Sequence, residues 1–181
     1  LQHQDGHSHL MASVIPNVRS YDPTFSYELA IIIHHGLKCM YENQEDVFYY
    51  LTLENENYIH PSIIDNVVDG IIKGMYCLQK GGDSSKRVQL LASGPMLNEV
   101  LAAADLLKLD WDVDADVWSV TSYSELHREA EDKKRWNILH PDQTHQDSYV
   151  RASLQANNGP VVAISDYVKL VAEQISPYID C

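Results

Sequence analysis

The sequence predicts an α/β fold with a mainly parallel sheet. Three features point to it. From residue 88 onward, short apolar runs alternate with longer amphipathic stretches, and such strand–helix alternation implies right-handed crossovers between parallel strands. Upstream, apolar residues at helical spacing over 24–41 lead into the β-branched and aromatic run Val47-Phe-Tyr-Tyr-Leu-Thr-Leu53. Between these parts lies Lys80-Gly-Gly-Asp-Ser-Ser-Lys-Arg87, rich in Gly and Ser and without periodicity. It divides the chain into a first part, 1–80, a linker, 81–87, and a second part, 88–181.

The first nine residues, Leu1-Gln-His-Gln-Asp-Gly-His-Ser-His9, gather three histidines around one carboxylate and one glycine. No apolar periodicity runs through them, so they are expected to form a loop. Imidazole titrates near neutrality, which makes His3, His7 and His9 candidates for proton transfer or metal binding. An extended segment is expected at 11–15, where Pro16 biases Ile15 away from helix. Asp22 is the expected N-cap, and Pro23 the first-turn residue, of the helix over 24–41. Its apolar stripe reads Tyr27, Ala30, Ile31, His34, Leu37 and Tyr41, which places His34 in the core. The run 47–53 is then a buried strand. Glu54-Asn-Glu-Asn-Tyr58 follows its carboxyl end, where open α/β sheets bind ligands; a capped, solvated turn explains the same residues and is preferred. A further helix is expected over 63–78, despite Gly70 and Gly74. Beyond the linker, strands at 88–92, 115–120 and 161–164 alternate with helices at 96–108, 122–139 and 146–155. Asp166 is placed to cap a last helix through residue 175, which Pro177 stops.

Composition excludes several classes of function. The chain has 181 residues, 45% of them hydrophobic, enough for a real core. A formal net charge of −13 opposes binding to nucleic acid and to anionic membranes. No apolar run approaches the roughly 18 residues a membrane helix needs. Three cysteines without a CxxC, Cys39, Cys77 and Cys181, suit free thiols in a reducing, cytoplasmic setting. A metal site is disfavoured: His34 and His35 point apart on a helix, and no Cys pair repeats the short gaps between His3, His7 and His9. The Gly-rich linker follows a helix and precedes a strand, the reverse of a phosphate-binding loop. Ser122 and Ser124 lack the G-x-S-x-G spacing of a nucleophile elbow and are read as helix caps. The mixed charges of 128–135 are a solvated helix face.

The opening block resembles the loop of the homodimeric pyruvate dehydrogenase E1 component, a member of the transketolase-like thiamine diphosphate enzymes. The likeness continues in family order through Ile15-Pro-Asn17, Ser20-Tyr-Asp-Pro23, Tyr27-Glu28 and Glu54-Asn-Glu-Asn-Tyr58. It goes on through Gln89-Leu-Leu-Ala-Ser-Gly94, Ser119-Val-Thr-Ser122, Arg135-Trp-Asn-Ile-Leu-His-Pro141 and Asp166-Tyr-Val-Lys-Leu-Val-Ala-Glu-Gln174. The resemblance implies the end of a pyrimidine-binding domain over 1–80, followed by an incomplete three-layer C-terminal α/β domain over 88–181. It implies decarboxylation of pyruvate on thiamine diphosphate with Mg²⁺, acetyl transfer to the lipoyl group of an E2 partner, and a homodimer. His9 is the first candidate for substrate contact, because Asp5-Gly6-x-x-His9 resembles the active-site histidine motif of transketolases; His3 and His7 are second. The family's diphosphate-and-metal motif, Gly-Asp-Gly followed by Asn, is absent. E1 chains are much longer, so these residues are expected to be an internal piece that neither binds the cofactor nor turns over alone. A non-catalytic dimerisation or docking module and a sugar transketolase are the alternatives.

Overall fold

The computed structural model describes residues 4–55, 57–155 and 159–179. His3, Glu56 and Cys181 lie outside the described residues. Two sheets organise the chain. The smaller pairs β1 (Val18–Tyr21) with β2 (Phe48–Leu51) in parallel. The larger has the order β3-β5-β4-β6, from β3 (Met75–Gln79), β4 (Arg87–Ala92), β5 (Asp114–Val120) and β6 (Val161–Ile164). β4 pairs in parallel with β5 and β6, and β3 runs antiparallel on the outer side of β5.

The larger sheet is covered on both faces. Val88, Leu90 and Ala92 of β4, with Ala115 and Val117 of β5, pack on Leu97, Val100 and Ala104 of α4 (Met96–Trp111). On the opposite face, Met75, Leu91, Trp118 and Val120 meet Leu126 of α5 (Tyr123–Leu139) and Val150 and Leu154 of α6 (Tyr149–Gln155). Val171 of α7 (Leu170–Glu173) completes that face. β5 is buried along its whole length, as an inner strand covered on both faces must be. The expected three-layer, mainly parallel architecture is therefore present. Ser122 caps α5 as expected, its Oγ accepting from the Glu125 N–H at 3.0 Å.

The first part departs from its expected elements in five places. Residues 8–13 form a short helix, α1 (Ser8–Ser13), where loop and extended chain were expected. The Asp5 carboxylate starts it by accepting from the His7 and Ser8 N–H groups at 3.1 and 3.0 Å; a helix this short leaves no periodic signal. β1 is the second departure, because its Val-Arg-Ser-Tyr sequence neither alternates nor forms an apolar run. Third, α2 (Ser26–Leu37, continued by a π turn over Lys38–Glu42) buries Glu28, Ile32, Gly36 and Cys39. His34 is exposed and is not a core residue. Asp22 does not cap this helix: Glu28 reaches back instead and accepts from the Thr24 and Phe25 N–H groups at 2.6 and 2.8 Å. Fourth, β2 alternates between exposed and half-buried positions, because among the described residues its sheet has two strands. Fifth, the helix expected over 63–78 is only α3 (Val68–Lys73), and β3 takes up the rest. Later in the chain, α7 is shorter than expected and begins after Lys169, so Asp166 does not cap it.

Gly74 explains the break between α3 and β3. It stands at φ +111°, in the left-handed region, and its N–H closes the helix on the Gly70 carbonyl. A Cβ there would lie 2.6 Å from the Ser122 carbonyl oxygen. The Gly/Ser-rich stretch after β3 then carries the chain across β5 to β4 within one sheet. Gly81 and Ser84 donate their N–H groups to Asp116 and Asp114 of β5 at 2.8 and 2.7 Å. Gly74→Ala should destabilise the fold by about 1–3 kcal/mol through backbone strain and overlap. Urea denaturation checks this: an unchanged midpoint would show that the turn tolerates a side chain.

Candidate functional site

Four strand ends converge on one buried carboxylate. Asp22 follows the last residue of β1, and Thr52 follows the last residue of β2. Ser93 follows β4, and Tyr167 lies just beyond β6. The carboxyl ends of parallel strands are where open α/β sheets place ligands, because the chain leaves the sheet there and exposes polar loops. Asp22 Oδ1 accepts from the Thr52 hydroxyl at 2.7 Å and from the Tyr167 hydroxyl at 3.3 Å. Its Oδ2 accepts from the Ser93 hydroxyl at 2.8 Å. Its backbone is pinned as well, donating to the Thr121 carbonyl at 2.8 Å and accepting from the Gly94 N–H at 3.2 Å.

His9 completes the cluster from α1. Its Nε2 lies 2.9 Å from the Thr52 hydroxyl oxygen. The rings of Tyr167 and Tyr50 meet it edge-on, with centroids 4.7 and 5.7 Å away. His9 is buried, with 4% of its surface exposed, so it is not a residue of a solvated loop. Burial holds its imidazole below the ordinary range, against the opposing pull of Asp22 and Asp5. Burial pushes the Asp22 carboxyl up, and the Thr52, Ser93 and Tyr167 hydrogen bonds and His9 pull it back. The Tyr167 hydroxyl is raised by burial and by the neighbouring Asp22.

The three candidate histidines do not form one cluster. His7 is exposed and borders an open cleft of about 580 Å³, lined also by Gln4, Asp5, Glu54, Asp166 and Tyr167. His9 lies behind Tyr167, and His3 is outside the described residues. Among the described residues no three His, Cys, Asp or Glu side chains converge as a metal would require. Sequence reasoning missed Asp22, Thr52, Ser93 and Tyr167 as members of one site. Each follows a strand end, but β1 was not visible in the sequence and Thr52 fell inside the expected strand.

Residues 1–61 match the model of the pyruvate dehydrogenase E1 component middle domain, and residues 74–179 match that of the transketolase-like C-terminal domain. The chain belongs to the transketolase-like family. The pyruvate dehydrogenase E1 component of Cupriavidus necator is 54% identical over 181 residues, covering 99% of this chain and 20% of that one. The E1 components of Pseudomonas aeruginosa and Escherichia coli are 52% and 48% identical, each again over 99% of this chain and 20% of theirs. The chain thus spans about one fifth of the length of these curated relatives. Among solved structures, a transketolase from Leishmania mexicana superposes with a TM-score of 0.60 at 18% identity, over 98% of this chain and 22% of that one. At that identity the likeness establishes the transketolase-like fold.

The opposed shifts of His9 and Asp22 make stability depend on pH. Because folding lowers the His9 value, the unfolded chain takes up the proton first on acidification. The stability that neutral His9 provides is present above about pH 6.5 and is lost below it. Asp22 has the opposite sign: its raised carboxyl favours the fold on acidification. His9→Gln keeps an amide, both donor and acceptor, for the Thr52 hydroxyl and removes the imidazole titration. Between about pH 7.5 and 5.5, the denaturant midpoint of His9→Gln should therefore fall less steeply than that of the unsubstituted chain. Parallel slopes would show that His9 does not titrate in this window.

Proposed function

We propose that the chain is the junction between the middle and C-terminal domains of a thiamine-diphosphate-dependent pyruvate dehydrogenase E1. In this reading the full-length protein decarboxylates pyruvate and transfers the acetyl group to the lipoyl group of an E2 partner in the cytoplasm. The observation that carries it is the unbroken match to E1 components across 99% of the chain at about half identity. We place the domain boundary between residues 61 and 74, where the two family matches part, ahead of β3. The pairing of β3 with β5 supports that place over the 81–87 linker.

When bound, thiamine diphosphate supplies the carbanion chemistry through its thiazolium. The residues described do not fit the diphosphate and Mg²⁺ end of that cofactor: no trio of ligands converges and the sequence lacks the Gly-Asp-Gly and Asn motif. We assign that end to parts of the full-length chain beyond these 181 residues.

To this chain we assign proton transfer at the substrate, carried by His9, with His7 and His3 second. Burial favours neutral imidazole near pH 7, the form that can accept a proton. The ring is held on Thr52 rather than free to rotate. In the full-length enzyme, His9→Gln should lower kcat/KM by about 10²–10⁴, or about 3–5 kcal/mol of transition-state stabilisation, at a temperature below the thermal midpoint of both proteins. His7→Gln, on the exposed cleft, should cost less. Near-normal pyruvate turnover by His9→Gln would move the assignment to His7 and His3.

A homodimer belongs to the same reading, supported by an apolar stripe that this chain leaves uncovered. Ile33, Leu37 and Tyr41 are 43%, 49% and 74% exposed and stand at i, i+4 and i+8 along α2 and its π turn. Leu37→Asp in the full-length protein should shift the species seen by analytical ultracentrifugation from dimer toward monomer. An unchanged dimer would take this stripe out of the interface.

A further inference from the structure

We infer that Asp22, acting through the Thr52 hydroxyl, is the positioning residue that holds His9 with its proton on Nε2 and leaves Nδ1 as the acceptor. The inference deepens the assignment of His9 to proton transfer and rests on it.

Donor counting carries the argument. The Thr52 hydroxyl has one proton. The acceptors within reach of that proton are Asp22 Oδ1 at 2.7 Å, the nearest and the only charged one among the described residues, His9 Nε2 at 2.9 Å, the Tyr21 carbonyl oxygen at 3.4 Å and the Tyr167 hydroxyl, which also hydrogen-bonds Thr52. Spending the proton on the nearer carboxylate leaves the Thr52 oxygen only lone pairs to offer His9. The 2.9 Å contact with Nε2 must then be donated by the imidazole. A neutral imidazole that donates from Nε2 carries its acceptor lone pair on Nδ1. When His9 takes a proton, Asp22 stands one hydroxyl away and steadies the cation. A third group that orients a base and stabilises its charged form is a recurrent catalytic arrangement.

Asp22 itself is hard to explain as packing. It is buried, and its carboxylate neighbours are the hydroxyls of Thr52, Ser93 and Tyr167, with no lysine or arginine ion-paired to it among the described residues. An unpaired buried carboxylate costs stability, whereas an amide or a hydroxyl could fill the same space more cheaply. The turn after β4 is also shaped around it. Gly94 stands at φ +54°, and a Cβ there would lie 2.8 Å from Asp22 Oδ2. The C-terminal sheet therefore reaches Asp22 through Ser93, Gly94 and Tyr167, and docking of that sheet completes the support for His9.

The titratable groups that face His9 are Asp22, Asp5, Tyr50 and Tyr167; those that face Asp22 are His9, Tyr123 and Tyr167. The test uses the full-length enzyme, deuterated and labelled with ¹³C and ¹⁵N at histidine, because imidazole shifts report the tautomer independently of turnover. The unsubstituted enzyme should show His9 in the Nε2–H form. Thr52→Val should release that tautomer and lower kcat/KM by roughly 10²-fold, the scale of a misplaced catalytic group. Thr52→Ser should restore both. Asp22→Asn keeps an oxygen for Thr52, so the tautomer should persist. Loss of the negative charge should move the acid limb of the kcat/KM profile to lower pH.

Finding the Nδ1–H form in the unsubstituted enzyme overturns the inference. So does a Thr52→Val enzyme with an unaltered tautomer and pH profile, even if its thermal midpoint falls. Full turnover by His9→Gln would instead remove the catalytic assignment of His9, leaving the tautomer result to be judged by the spectra alone.

Discussion

The junction of the two sheets depends on Glu28, a carboxylate buried with no cation paired to it among the described residues. It has no exposed surface and accepts four hydrogen bonds. Two come from the Thr24 and Phe25 N–H groups at the start of α2. The others come from the Tyr76 hydroxyl on β3 and the Ser119 hydroxyl on β5, at 2.7 and 2.6 Å. All four partners are donors, so they fill the acceptor sites of the ionised carboxylate. Burial still pushes its carboxyl up, and the donors only partly offset that. Such a group persists only where every donor is in place, so it fixes the helix and both strands in one relative position.

That position has a consequence a few residues earlier. Because Glu28 caps α2, Asp22 is free of the capping role its place in the sequence suggests. It turns instead toward Thr52, Ser93 and Tyr167, each from a different strand end. One acidic residue ties the helix to the large sheet, and the other collects the strand ends into a site. The Tyr21 hydroxyl, donating to the Ile72 carbonyl at 2.8 Å, and the Thr121 hydroxyl, donating to the Ile71 carbonyl at 2.7 Å, close the same seam from either side. Buried polar networks of this kind tolerate few alternative arrangements, because each unmade bond leaves a desolvated group behind.

The seam also explains why His9 is held in one place. A histidine in a solvated loop would sample both tautomers and many rotamers. Here Tyr50 and Tyr167 limit the ring's motion, and Thr52 takes its Nε2. The open cleft beside it, bordered by His7, Glu54 and Asp166, belongs to the same end of the two sheets.

The sequence by itself determined the α/β class, the strands beyond residue 88, the helices there apart from the start of α6 and the extent and cap of α7, the Ser122 cap and the family. Those features rest on local periodicity, turn chemistry and runs of matching residues, all of which are written along the chain. Three elements of the first part were not readable. α1 is too short to repeat a pattern, β1 has no alternation, and β3 is hidden in a helical period that Gly74 cuts. The face of α2 was misread because a charged residue, Glu28, occupies its buried side while Ile33, His34 and Leu37 face outward. Of the candidate site, the sequence marked His9, which lies in a dense histidine motif. Asp22, Thr52, Ser93 and Tyr167 stand far apart in the chain, and each has an ordinary local explanation as a cap, a strand residue or a turn. Only the tertiary structure brings them to one carboxylate, because their meeting depends on the docking of two sheets, and that docking is set by buried hydrogen bonds with no periodic signature.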